Sequence, residues 1–288
     1  MAEIEKDIHT RQELAQLQAL PLDAKITRTK ELIREWVDKF GLGKVFVSFS
    51  GGKDSTVLLD IARSVYPNMR AVFYDTGLEW PELRKFVLAK DNVVAVRPNM
   101  TFKQVIEKYG TPMISKDVAH CIYYLRRNKE DPEKYPAKSC VRKMYGDLSN
   151  SPFRINRYEF MVDAPFEIGS SCCNIMKKNP GLTLYRKNGW VPIIGTMADE
   201  SRNRVQSWLK YGCNSSETHV PRSTPLSFWT EQDVLLYIKN NNLEIAPPTE
   251  MSEKHTKTEK GFFIPRGVRG QDVYSVYSAR ITHRTEIR

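Results

Sequence analysis

Ser48-Phe49-Ser50-Gly51-Gly52-Lys53-Asp54-Ser55 joins two stretches whose hydrophobic periods differ. Before it, Lys44-Val45-Phe46-Val47-Ser48-Phe49 is a short β-branched and aromatic run bounded by Gly43 and Gly51-Gly52, and reads as a buried strand. After it, Val57, Leu58, Ile61, Ala62 and Val65 fall on one helical face from Asp54 onward. Two glycines between a strand and a helix let the backbone turn sharply and approach a ligand closely. The helix that follows offers unpaired N–H groups and the positive end of its dipole, which together make an anion site. Ser50 and Ser55 add hydroxyl donors, and Lys53 adds a cation.

Outward from this loop the strand-then-helix pattern repeats. Ala71-Val72-Phe73-Tyr74-Asp75 is a second strand ending at Thr76-Gly77, and Pro81 opens a helix through about residue 89. Residues 93–96 are a third strand, followed by a helix over 101–109, and 191–195 is a further central strand. Thr230 caps a last helix, Glu231 to Asn240. Strands alternating with helices of about ten residues predict an α/β fold, a doubly wound parallel sheet with helices on both faces. Residues 10–40 carry Leu14, Leu17, Ile26, Leu32, Ile33 and Val37 at helical spacing, interrupted at Pro21. The expected organisation is a helical lead-in over 1–40, an α/β domain over 41–245 and a basic tail over 246–288. Residues 111–165, rich in Arg, Lys, Tyr and Pro, are expected to form an inserted helical or irregular lobe.

The 288 residues are 41% hydrophobic and 27% charged, which suits a globular protein and argues against long disorder. No apolar run reaches the length of a membrane span, and the polar N-terminus lacks a signal-peptide core, so the expected compartment is the cytoplasm. Lys and Arg total 44 against 34 acids, a net charge of +10. Such a balance suits a polyanion, a nucleotide or simply a basic surface. Tyr123, Tyr124, Arg126 and Arg127 alternate aromatic and basic character, either as a nucleic-acid platform or as a basic surface with tyrosines packed beneath it. Cys121, Cys140, Cys172, Cys173 and Cys213 are too few for a disulfide scaffold, and metal, cluster and redox roles stay open. His120, His219, His255 and His283 show no zinc-protein spacing, so no zinc site is predicted.

The loop is not a Walker motif, because GxxxxGK[ST] is absent. It resembles the pyrophosphate loop of the adenine nucleotide alpha-hydrolase-like superfamily. Three further segments resemble the phosphoadenosine phosphosulfate (PAPS) reductase family within it. They are Asp75-Thr76-Gly77 with Pro81-Glu82, the run Gly195-Thr196-Met197-Ala198-Asp199-Glu200-Ser201-Arg202-Asn203-Arg204, and Pro225-Leu226 through Trp229-Thr230 to Asp233-Val234. The resemblance implies an adenine nucleotide ligand (PAPS, adenylyl sulfate or ATP, the last with Mg²⁺). Ser48, Ser50, Gly51, Gly52, Lys53, Asp54 and Ser55 would hold its phosphate-bearing end. Asp75, with Thr76 and Gly77, would meet the ribose or a magnesium ion. Gly195, Glu200, Arg202 and Arg204 would complete the anion site.

Ser171-Cys172-Cys173 with Lys177 and Pro180 is similar to a segment of iron–sulfur members of the family, where an adjacent pair and a later C-x-x-C hold a 4Fe-4S cluster. That later motif is absent here, so a cluster on Cys172 and Cys173 would recruit Cys213 and either Cys121 or Cys140. The family's nucleophilic cysteine near the C-terminus is also not found in Tyr277 to Arg288. Cys172, Cys173 and Cys213 are therefore the candidate catalytic thiols. Three functions follow: sulfonucleotide reduction with a thiol donor such as thioredoxin; ATP cleavage that adenylates a nucleic acid or another acceptor; or nucleotide binding without catalysis.

Overall fold

The computed structural model describes residues 8–146 and 154–246. These form two compact units: one from the described residues up to Pro98 and from Lys177 onward, the other from Asn99 to Met176. The tail expected over 246–288 lies outside the described residues except for Ala246.

The first unit begins with α1 (Arg11–Gln18), opened by a reciprocal Thr10–Glu13 cap, and α2 (Leu22–Phe40), which starts directly after Pro21. Then β1 (Val45–Ser48), α3 (Lys53–Val65), β2 (Arg70–Tyr74), α4 (Pro81–Leu88) and β3 (Val93–Val96) alternate. The chain passes through the second unit as α5 (Phe102–Tyr109), α6 (Lys116–Glu130) and α7 (Lys138–Tyr145). It returns as α8 (Asn179–Asn188), β4 (Val191–Ile194), α9 (Arg202–Tyr211), β5 (Asn214–Ser215), β6 (Arg222–Ser223) and α10 (Glu231–Asn240).

The sheet order is β3-β2-β1-β4-β6-β5. Every neighbouring pair is parallel except β5 with β6, a two-residue antiparallel edge too short to leave a sequence pattern. Val45, Phe46 and Val47 are all buried in succession, which requires cover on both faces of β1. The predicted strands are thus present, each within a residue or two of its expected bounds. β1 pairs with β2 on one side and β4 on the other, with Ser48 level with Val72 and Ile194. The carboxyl ends of β1, β2 and β4 therefore share one edge, and the strand order reverses direction between β1 and β4.

The N-terminal helices are part of this core. Leu14, Leu32, Ile33, Trp36 and Val37 are buried among the apolar side chains of α3, β1 and the 226–237 segment. Two buried polar links fix α2 there. Trp229 Nε1 donates to Thr29 Oγ1 at 2.9 Å, and that hydroxyl donates to the Pro225 carbonyl at 3.2 Å. Lys25, only 2% exposed, pairs with Asp233 Oδ2 at 2.6 Å. The Pro225–Val234 segment is therefore an internal fastening for α2. Replacing Trp229 by Phe leaves Thr29 without its indole donor and should lower stability by about 1–3 kcal/mol, read as a reduced urea midpoint at unchanged slope.

The second unit has its own core of Val118, Ala119, Ile122, Leu125, Met144, Ile155, Met161 and Ile168. Where an irregular lobe was an open expectation, the structure has two regular helices. Ser115 caps α6 by accepting from the Val118 N–H at 3.2 Å, and the buried side chains recur every three or four residues. Arg126 spends its guanidinium on the carbonyls of Met161, Ala164 and Phe166, at 2.7, 3.0 and 2.7 Å. Arg127 lies 4.4 Å over the Tyr123 ring. In the expected aromatic-basic platform, Arg126 thus binds protein backbone.

Candidate functional site

The loop after β1 is shaped by its own side chains. Phe49 N–H continues the ladder to the Val72 carbonyl at 2.9 Å, and the chain then leaves the sheet. Gly51 has φ +81°, and a Cβ there would lie 2.6 Å from Val87 Cγ2, so only glycine fits without displacement. Ser55 Oγ accepts from the Ser50 N–H at 3.2 Å and donates to the Gly52 carbonyl at 2.9 Å, while Thr56 Oγ1 donates to the same carbonyl at 3.0 Å. The loop is folded by hydroxyls that a sequence motif shows only as Ser and Thr. α3 carries no side-chain cap, so its first N–H groups and its dipole are left for an anion.

Gly195, just beyond β4, comes against the same helix start. A Cβ there would lie 3.1 Å from the Asp54 carbonyl oxygen and 3.3 Å from the Ser55 nitrogen. The loops after β1 and β4 thus meet at the reversal of strand order, the usual ligand crevice of an open α/β sheet. Lys53 Nζ lies 3.2 Å from Asp54 Oδ1, out of line for a hydrogen bond, and 3.7 Å from Glu231 Oε1 at the start of α10. Glu231 is a neighbour of the loop that no spacing in the sequence announced.

Asp75 follows β2 and is buried, and one of its carboxylate oxygens is already engaged. Its Oδ2 accepts from Arg84 Nε and Nη2 at 3.2 and 3.1 Å and from Arg97 Nε at 3.2 Å. Burial by itself would raise its pKa; the hydrogen bonds from Arg84 and Arg97 outweigh that and hold it below the usual carboxylate range. Asp75, expected to meet the ribose or a magnesium ion, holds two guanidiniums on its Oδ2, of which Arg97 is largely exposed. Thr76 is fixed by Glu79, whose carboxylate accepts from Thr76 N–H at 3.1 Å and Thr76 Oγ1 at 2.7 Å. Arg84 and Arg97 escaped the sequence reading because neither lies within a quoted motif. Their signal was positional, a basic residue one turn into α4 and another directly after β3.

Beyond Gly195, Glu200 Oε1 accepts from the Met197 N–H at 2.9 Å and from Arg204 Nη1 at 2.5 Å. Arg202, the first residue of α9, is exposed. These two arginines thus start from different states, one held by a carboxylate and one on the surface.

The cysteines divide between the units. Cys213 lies in the first, where its Sγ accepts from Ser227 Oγ at 3.5 Å; burial pushes its pKa up. Cys172 and Cys173 lie in the second, just before a π-helical turn, Asn174–Lys178. The Cys172 thiol is raised, first by its hydrogen bond with Cys173 and then by burial. A thiolate cluster needs four ligands. Cys172 and Cys173 together offer two of those four ligands. Among the described residues, the His, Cys and acidic ligand atoms that lie within 4.8 Å of one another in a group of three are those of His120, Cys121 and Cys140. No helix among the described residues is long and apolar enough to cross a membrane.

Comparison with known proteins gives a family. The phosphoadenosine phosphosulfate reductase domain matches residues 44–132 and 134–249. The chain is 24% identical over 218 residues to phosphoadenosine 5'-phosphosulfate reductase of Gloeobacter violaceus, covering 75% of this chain and 68% of that protein. Over 94 residues, 31% of this chain, it is 36% identical to an uncharacterized protein of Methanocaldococcus jannaschii, and this match spans only 22% of the archaeal protein. Among solved structures it is similar to a PAPS reductase from Candida auris in phosphate complex, with TM-score 0.44, 13% identity and coverage of 88% of this chain and 96% of that one. It is also similar to a U34-tRNA thiolase from Methanococcus maripaludis with its 4Fe-4S cluster, with TM-score 0.41, 18% identity and coverage of 78% and 68%. With the domain match spanning most of the chain, and the loop at the strand-order reversal of a parallel sheet, the chain belongs to the phosphoadenosine phosphosulfate reductase domain family.

Proposed function

We propose that the chain binds an adenine nucleotide at the carboxyl edge of β1 and β4 and acts on its phosphate- or sulfate-bearing end. The observation that carries this reading is the uncapped start of α3 behind Gly51, with Lys53 beside it and Gly195 closing on it. Backbone N–H groups, a helix dipole and one ammonium converge there, a combination that suits a multiply charged anion. Arg84 and Arg97, gathered by Asp75, supply a second cationic group after β2 and β3 on the same sheet edge. Glu200 holds Arg204 ready on the β4 side. Ser48 ends β1 beside the loop, and Asp54 holds its carboxylate close to the Lys53 ammonium.

Family membership favours a sulfonucleotide as substrate. Reductive release of sulfite would break the sulfur–oxygen bond, with two electrons supplied by a thiol donor such as thioredoxin. One observation favours a second reading. The Cys121, Cys172 and Cys213 thiols are all shifted upward, which keeps them protonated and weakly nucleophilic. Cleavage of ATP at its α-phosphate with release of pyrophosphate needs no protein thiolate, and a nucleic acid is one acceptor class for it. Incubation with PAPS plus reduced thioredoxin, and separately with ATP and Mg²⁺, distinguishes the two: sulfite appears under the first reading and pyrophosphate under the second. Absence of both products, with binding retained, leaves nucleotide binding alone. Arg84→Ala and Arg204→Ala should each weaken PAPS binding by roughly tenfold, the loss of one charge-assisted hydrogen bond of about 1.5–3 kcal/mol. Unchanged affinity in both variants would place the anion away from the arginines.

A further inference from the structure

We propose that His120, Cys121 and Cys140 form a binding site for one zinc-class divalent cation, with water as the fourth ligand. The site belongs to the second unit and shares no residue with the nucleotide loop or with Cys172 and Cys173. Cys121 lies in the middle of α6, and Cys140 lies on α7, which packs against it. One ligand atom from each of the three residues lies within 4.8 Å of the others. In a tetrahedral zinc site, with Zn–S about 2.3 Å and Zn–N about 2.0–2.1 Å, ligand atoms stand about 3.5–3.8 Å apart. The three atoms thus stand about 1 Å from that spacing at most.

The chemistry of the set is selective. Two sulfurs and an imidazole suit zinc and its borderline-soft neighbours, and are poor ligands for Mg²⁺ or Ca²⁺. Both cysteines are buried, at 2% and 3% exposure, whereas His120 is exposed and opens the site to solvent. That arrangement provides an entry path and room for a water ligand. The His120 ring is steadied by Tyr124, with centroids 4.6 Å apart. Lys143, one turn beyond Cys140, is anchored to both carboxylate oxygens of Asp117, on the first turn of α6, at 2.8 Å.

The two thiols hydrogen-bond, and burial pushes Cys121 up to about 12. Binding would release two thiol protons and form two metal–sulfur bonds, leaving the centre of M²⁺, two thiolates and a neutral imidazole with no net charge. The consequence is a clip between α6 and α7, the two helices that carry most of the second unit's core. Two buried core thiols would pack equally well beside any surface residue; an imidazole nitrogen converging on both is what a ligand set requires.

The test uses the full chain, reduced, stripped of metal and kept anaerobic, titrated with cobalt(II) chloride alone. The expected result is one cobalt per chain with a thiolate-to-cobalt charge-transfer band, bleached by added zinc. Cys121→Ser and Cys140→Ser should lose the band. His120→Ala, a surface change that leaves the core intact, should weaken binding by at least the roughly tenfold that outer-shell substitutions alone cause. The Cys172→Ser/Cys173→Ser double variant should bind like the parent. Retention of the band in Cys140→Ser, unchanged affinity in His120→Ala, or no cobalt uptake by the parent would each overturn the proposal. Should the buried-cysteine variants fail to fold, alkylation of the parent decides the matter. Zinc should protect Cys121 and Cys140 but not Cys173 from iodoacetamide, and alkylation of Cys121 or Cys140 at the metal-free rate would overturn the site.

Discussion

Lys25→Ala should lower the unfolding free energy by about 3–5 kcal/mol, the cost of leaving one partner of a buried ion pair alone. Lys25 is 2% exposed and meets Asp233 at 2.6 Å across 208 residues of sequence. Its removal strands a carboxylate that also caps α10 through the Thr230 N–H and hydroxyl, both at 2.7 Å. Burial tends to raise the Asp233 pKa, but Lys25 and the Thr230 donors hold it below the ordinary value. A carboxylate with a depressed folded pKa stabilises the protein fully above the unfolded pKa of about 3.9, and this contribution is lost as pH falls through the folded value. The difference between parent and Lys25→Ala should therefore be constant near neutrality and shrink below about pH 4. Urea unfolding at neutral and acidic pH measures it. Lys25→Met restores apolar packing but not the charge, and should recover only the packing part of the loss.

How much of this was legible in the sequence depends on range. Strands whose residues are buried on both faces announce themselves as apolar runs, so β1, β2, β3 and β4 were readable to within a residue or two. The Thr230 cap and the Pro21 interruption were equally local signals, and the helices begin where they indicate. α6 and α7 were obscured by charge: Lys116, Arg126, Arg127 and Lys129 dominate a stretch whose apolar positions nevertheless keep helical spacing. Ser115 was the overlooked start signal. Pairings across the fold left no local trace. Nothing near Asp75 indicates that Arg84 and Arg97 converge on it, and nothing near Lys25 indicates Asp233. The His120, Cys121 and Cys140 grouping was invisible for the same reason. Two of its members are sequence neighbours, and the third is brought in by the turn between α6 and α7.

The loop was legible as a glycine turn between a strand and a helix but not in its particulars, and Lys53 is where the difference matters. The ammonium sits between two carboxylates, 3.2 Å from Asp54 Oδ1 and 3.7 Å from Glu231 Oε1, on a side chain that is 35% exposed. A helix dipole contributes only about 0.3–1 kcal/mol to holding an anion. A charge-assisted hydrogen bond contributes about 1.5–3 kcal/mol. Lys53 should therefore account for a larger share of phosphate affinity than the backbone loop around it, and Lys53→Ala should weaken nucleotide binding by roughly tenfold or more. Lys134→Ala is the matching control, since Lys134 lies outside the quoted motifs and over the Tyr135 ring at 5.5 Å.

Calorimetric titration of the parent, Lys53→Ala and Lys134→Ala with PAPS and with ATP tests the central claim most directly. The parent and Lys134→Ala should bind at least one nucleotide with equal affinity, and Lys53→Ala should bind it roughly tenfold more weakly or worse. Binding of both nucleotides by Lys53→Ala as tightly as by the parent would contradict the assignment of the Ser50–Ser55 loop as the phosphate site.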